Sequence, residues 1–135
     1  MKSLEELREF FAGDKVAMGL GMTIESAENG GAVCTIAITD DCLNAIGTVQ
    51  GGLIYTLADF AFAVSANSED IETATLTSTI NYMRPAFGKK LTAHSIPIQR
   101  SKTICLYQVT VTDEEEREIA YMTALGYRKV SREKN

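Results

Sequence analysis

The stretch LNAIGTVQGGLIYTLADFAFAVSANS, residues 43–68, carries a single charge, on Asp59. Gly51-Gly52 interrupts a loop and is followed at once by Leu53-Ile54-Tyr55 and Leu57-Ala58, so the glycine pair marks the start of a helix. The first amides of that helix point outward at Gly51 with no side chain to cover them, an arrangement suited to anions. Residues 53–66 are apolar on nearly every face, the pattern of a helix wrapped on all sides. One carboxylate has been placed inside that wrapping. Gly51 and Asp59 are eight residues apart, about 12 Å along one helix axis. If both act on one substrate atom, a second copy of the helix must supply one of them.

Around this segment, 135 residues are enough for one domain, 1–135, with a sizeable core and no visible internal boundary. A formal net charge of −5 and the lack of a basic stripe argue against nucleic acid. An anionic ligand would need a local basic patch. Cys34, Cys42 and Cys105 are scattered and odd in number, and His94 is the one histidine, so neither a disulfide framework nor a metal site is expected. Reduced thiols in the cytoplasm are the natural reading. Glu5, Glu6 and Glu9 stand where a signal peptide would carry an apolar run, so no export is expected. Asn44, Gln50, the glycines and Asp59 likewise argue against a membrane span in the central segment.

Ser3-Leu4-Glu5-Glu6 is a capping box, and Leu4, Leu7, Phe10 and Phe11 mark the apolar face of the helix that it opens. Gly13 ends that helix, and a short second turn over 14–18 is expected after it. Residues 20–28 and 32–39 read as strands joined at Asn29-Gly30, a pair suited to a tight hairpin.

Four more strands are expected after the central helix, over 71–83, 90–99, 103–112 and 118–130, with 131–135 fraying. In the first of them, simple alternation puts Thr73, Thr75, Thr77 and Thr79 on one face, and Ala74, Leu76, Ile80 and Tyr82 on the other, covering the helix. Pro97 calls for a bulge or an unpaired edge, and the acidic run 113–118 reads as a solvated hairpin tip. The order α-β-β-α-β-β-β-β makes this an α+β chain, an antiparallel sheet curled around one long central helix.

Asn44-x-x-Gly47-x-x-Gln50-Gly51-Gly52, followed by Leu57-Ala58-Asp59, resembles the signature of the hotdog-fold acyl-CoA thioesterases, in the phenylacetate-degradation (PaaI-like) branch. Ile80-Asn81-Tyr82-Met83-Arg84-Pro85 is similar to the strand end that this family carries after its helix. The resemblance implies a sheet wrapped around the helix, homodimers that pair further into homotetramers, and an active site shared between two subunits. It also implies a thioester hydrolase without metal or redox cofactor, with coenzyme A arriving as part of the substrate.

The chemistry can be stated from the residues themselves. Thioester hydrolysis needs donors for a developing oxyanion, and amides at a helix N-terminus are preorganised for it, here at Gly51 with Gly52 beside it. A tight entry into the helix is the structural alternative for the pair. A carboxylate is needed as nucleophile or general base, and Asp59 is the one acid on the helix; a structurally paired acid is its alternative. The family resemblance places an amide side chain at Asn44 to help hold the thioester oxygen or the attacking water, where an Asx turn would otherwise serve. It likewise places a hydroxyl beside the nucleophilic water at Thr75, a residue that is also simply a good strand former.

The family motif reads His-Gly-Gly, and this chain has Gln50. Glutamine donates and accepts hydrogen bonds but takes up no proton near neutral pH. The alternative function is therefore a non-catalytic acyl-CoA or acyl-carrier thioester-binding protein. A hydratase would need a paired His and acid, and His94 lies in another strand. Arg84, Lys89, Lys90, Arg100 and Lys102 are the candidate contacts for coenzyme A phosphates, and each is equally a solvated surface charge.

Overall fold

The computed structural model describes residues 1–69 and 71–129; the expectation for 131–135 lies outside the described residues. Helix α1 (Leu4–Phe11) opens on the capping box, with Ser3 Oγ accepting from the Glu6 N–H and Glu6 Oε1 accepting from the Ser3 N–H. Leu7 and Phe11 are buried, whereas Phe10 turns outward and lies edge-on to Phe11. The short turn is a helix in its own right, α2 (Lys15–Leu20), capped by Asp14 Oδ1 on the Ala17 N–H and closed by Gly21 at φ +83°. That left-handed glycine cap takes Leu20 out of the first strand, which begins three residues later than its composition suggests.

Strands β1 (Thr23–Ser26) and β2 (Ala32–Ala37) form the expected hairpin. Asn29 and Gly30 both have positive φ, 56° and 79°, as the turn between twisted strands requires. Helix α3 (Gly51–Ala66) follows, then β3 (Glu72–Tyr82), β4 (Lys90–Arg100), β5 (Ile104–Asp113) and β6 (Glu118–Lys129). The strands form one six-stranded antiparallel sheet in the order β1-β2-β4-β5-β6-β3, with α3 packed against one face. Pro97 lies beyond Ser95, where β2 stops pairing with β4, and beside the irregularity between Pro97 and Gln99. Its missing N–H therefore costs the sheet nothing.

The core is the buried side of α3 against the inward face of the sheet. Leu57, Ala58, Ala61 and Val64 are fully buried there, and Phe62 meets Tyr107 edge to face at 5.4 Å. A buried Leu, Val or Phe contributes about 1.5–3 kcal/mol, so this one helix accounts for much of the chain's apolar driving force.

Two expectations are corrected here. The alternation assigned to β3 is broken, because Thr75 pairs with Gly126 and Thr77 pairs with Leu125, leaving Leu76 as an extra residue. This bulge puts Thr73, Thr75, Ser78, Ile80 and Tyr82 together on the helix side, opposite the buried even-numbered residues of β6. The 113–118 tip is not merely solvated either. Asp113 is 5% exposed and accepts from the Glu115 and Arg117 amides at 2.9 Å and from Arg117 Nε at 2.8 Å.

Candidate active site

The site is built on the first turn of α3. Gln50 occupies the N-cap position in extended backbone (φ −66°, ψ 135°), and its side chain caps nothing. Its N–H is spent on the Cys42 carbonyl at 2.9 Å, and its carbonyl accepts from Leu53 and Ile54 at 3.0 and 3.2 Å. Among the described residues no acceptor engages the Gly51 or Gly52 amide. These are the uncommitted donors that a helix start exposes, and the absence of Cβ atoms keeps them open.

A pocket lies on each side of this turn. One, of about 640 Å³, is lined by Asn44, Gln50 and Gly52 together with Leu20, Leu43 and Leu53. The other, of about 360 Å³, is lined by Gly51, Ile54, Tyr82, Met83 and Arg84 among others. The structure thus gathers Asn44, Gln50 and Gly52 at one opening, and Gly51 and Arg84 at the other.

Asp59 lines neither pocket. It lies along α3, about 12 Å from Gly51 at 1.5 Å per residue. The helix is not wrapped on all sides: Gly51, Tyr55, Thr56, Asp59 and Ala63 are half-buried and Gly52 is exposed, while the rest of α3 is buried. At 100° per residue these positions fall on one stripe centred on Asp59, the side that the sheet does not cover. The Asp59 carboxyl has no hydrogen bond or ion pair among the described residues. Burial, and then the charge of Asp14, raise its pKa above the ordinary 3.8.

Asn44 is heavily committed within its own loop. Its Oδ1 accepts from the Ile46 and Thr48 amides at 3.0 and 3.1 Å, and its Nδ2 donates to Thr48 Oγ1 at 2.9 Å, which leaves one Nδ2 proton for a ligand. Thr75 is exposed on β3, the edge strand, on the helix side of the bulge.

The candidate cations do not form one patch on the chain. Lys89 and Lys90 stand at the start of β4, while Arg100 and Lys102 stand at its far end, about 33 Å away for ten residues of strand. Arg100 is also 3.4 Å from Glu69, an acid shared with Arg128. All three cysteines are free and buried, and burial drives the Cys34 thiol up to about 12.

Sequence reasoning missed two hydroxyls at the turn. Tyr82 Oη donates to the Gly51 carbonyl at 2.9 Å, and Thr56 Oγ1 donates to the Gly52 carbonyl at 2.8 Å. The Tyr82 signal was present in the Asn81-Tyr82-Met83 motif, but alternation alone gives no sign of its target.

A single antiparallel sheet laid around one long helix, with the helix start open between two pockets, is the hotdog architecture. The chain belongs to the thioesterase superfamily, whose family model matches residues 46–120. It is 29% identical to acyl-coenzyme A thioesterase PaaI of Escherichia coli over 128 residues, covering 94% of this chain and 91% of that protein. It is 28% identical to human acyl-coenzyme A thioesterase 13, over 69% of each chain. The solved structure of E. coli PaaI, from the phenylacetic acid degradation operon, superposes with a TM-score of 0.86 at 28% identity, covering 93% of this chain and 96% of that one. No helix among the described residues is long and apolar enough to cross a membrane.

Proposed function

We propose that this chain hydrolyses acyl-CoA thioesters, of aryl or short to medium acyl groups, to the free acid and coenzyme A. The observation that carries the reading is the pair of uncommitted amides at Gly51 and Gly52, which open between two pockets on a superfamily fold. Relatives spanning most of the chain that are named acyl-CoA thioesterases support the same substrate class.

In this reading the Gly51 amide donates a hydrogen bond to the thioester oxygen as negative charge develops on it. The helix dipole and the low dielectric of a closed site strengthen that bond in the transition state. Asp59 either removes a proton from the attacking water or attacks the carbonyl carbon itself to give an anhydride that water then opens. In both cases the carbon–sulfur bond breaks, and the thiolate leaves and takes up a proton. The raised pKa of Asp59 makes it a better base than an ordinary carboxylate.

Gly51 and Asp59 of one chain are too far apart to serve one carbonyl, so the working unit is a homodimer in which each helix supplies one half of two sites. The half-covered stripe of α3 around Asp59 is the surface that a second copy would complete. Asn44 and Gln50 orient the thioester, and Thr75 lies on the strand edge facing the partner. Arg84, Lys89, Lys90, Arg100 and Lys102 are contacts for the coenzyme A phosphates, drawn from both subunits. Pairing of dimers into homotetramers and a cytoplasmic location complete the proposal, with no metal or separate cofactor.

The test is a panel of short aliphatic, long aliphatic and aryl CoA esters, offered to the wild type, Asp59→Ala and Gln50→His. A wild type inert towards the whole panel would overturn the reading. Gln50 favours one alternative, a protein that binds acyl-CoA or acyl-carrier thioesters without turnover. It would show saturable binding in calorimetry and release no thiol.

A further inference from the structure

The amide pair at the start of α3 sits on the least rigid backbone available, two consecutive glycines, and something must hold it in one orientation. Each N–H lies in a plane with the preceding carbonyl, so the carbonyl bonds show how each donor is aimed. The Gly51 N–H shares its plane with the Gln50 carbonyl, which α3 itself fixes through Leu53 and Ile54. The Gly52 N–H shares its plane with the Gly51 carbonyl, the first acceptor inside α3, and that carbonyl takes a second bond from outside the helix, from Tyr82 Oη at 2.9 Å across 31 residues of chain. The Tyr82 ring also closes one side of Gly51, 3.5–3.6 Å from where a Cβ would stand.

We propose that Tyr82 is a positioning residue for the Gly51-Gly52 donor pair, its hydroxyl holding the Gly51 carbonyl and thereby aiming and polarising the Gly52 N–H. Hydrogen bonding at the carbonyl end of a peptide strengthens donation at its N–H end, so the tether acts on donor strength as well as on geometry. Burial, and then the nearby Tyr55, push the Tyr82 pKa above its usual value of 10.0, so the phenol keeps its proton and remains the donor. Tyr82 lies on the helix side with Ser78 and Ile80, and the bulge at Leu76 brings Thr73 and Thr75 onto that same side. This role rests on the thioesterase reading for its kinetic consequence but not for its structural one.

Tyr82→Phe keeps the ring and removes the hydroxyl alone. The expected result is a fall of about tenfold in kcat with KM within about twofold, because a donor that strengthens only in the transition state affects kcat and kcat/KM equally. Glycine-selective isotope labelling of the same two proteins should show a shifted Gly52 amide resonance and faster exchange of that proton in the variant. An unchanged Gly52 amide overturns the proposal whatever happens to kcat, since a kinetic loss alone would mean that the hydroxyl touches substrate directly. An altered Gly52 amide with wild-type kcat overturns the kinetic role. A wild type inert towards every thioester overturns the proposed function instead, and the amide comparison then decides the tether alone.

Discussion

Asp59 stands eight residues beyond Gly51 on α3, about 12 Å along the axis, and it opens on the stripe of the helix that the sheet leaves half-covered. Complementation tests whether the two residues meet across a pair of chains. Gly51→Pro removes the donor N–H at the first helical position, where proline is tolerated and Gln50 is already extended. Removing one such donor is expected to cost about 10²–10³ in kcat. Asp59→Asn is expected to abolish turnover. Co-expressed in equal amounts, the two dead variants should recover about a quarter of the wild-type rate, because half of the dimers are hybrids and each hybrid holds one intact site. A site confined to one chain would give no recovery.

The Asp59 carboxyl is also a stability liability. Its folded pKa lies above 3.8, so the protonated form is favoured by folding, and the ionised form that prevails at higher pH is disfavoured. Stability of the wild type should fall as pH rises from about 3.8 through the raised folded value, and Asp59→Asn should remove that fall. Thermal melts at a series of pH values should therefore show a higher Tm for Asp59→Asn near neutrality and convergence with the wild type in acid. The acid limb of kcat/KM should likewise lie above the ordinary carboxylate value.

Gln50 folds over the helix start, with its Oε1 2.8 Å from where a Cβ of Gly52 would stand. A histidine would have the same room and would titrate near neutrality. Gln50→His is expected to raise kcat by about tenfold or more and to add an ionisation between pH 5 and 8 to the rate profile. An unchanged rate would mean that this position only orients the thioester.

Asp113 titrates in the opposite sense from Asp59. Burial alone would push it up, but hydrogen bonds from Arg117 and Glu115 outweigh this and hold it below 3.8. Its contribution is present above 3.8 and is lost as pH falls through its lower folded value. Asp113→Asn should lower the denaturant midpoint at neutral pH and narrow the difference from the wild type below that window. Thioesterase activity per folded molecule should not change.

The chain's local chemistry was legible because it acts over a few residues. The capping box at Ser3 and Glu6, the positive-φ pair Asn29-Gly30 and the start of α3 at Gly51 follow from side chains that satisfy their own neighbours. The 12 Å step from Gly51 to Asp59 is likewise a property of any helix through those residues, and it calls for a second copy if both act on one substrate atom. The tertiary structure decided what depends on partners distant in sequence. One unpaired residue, Leu76, brought Thr73 and Thr75 onto the helix side that Ile80 and Tyr82 occupy as expected, because strand alternation survives only as long as the register does. The β4 cations were spread along a strand. Tyr82 reached Gly51 across 31 residues. Periodicity places a side chain on a face, but only the packed chain settles which atom it meets there, because that contact depends on strand register and on the element lying opposite.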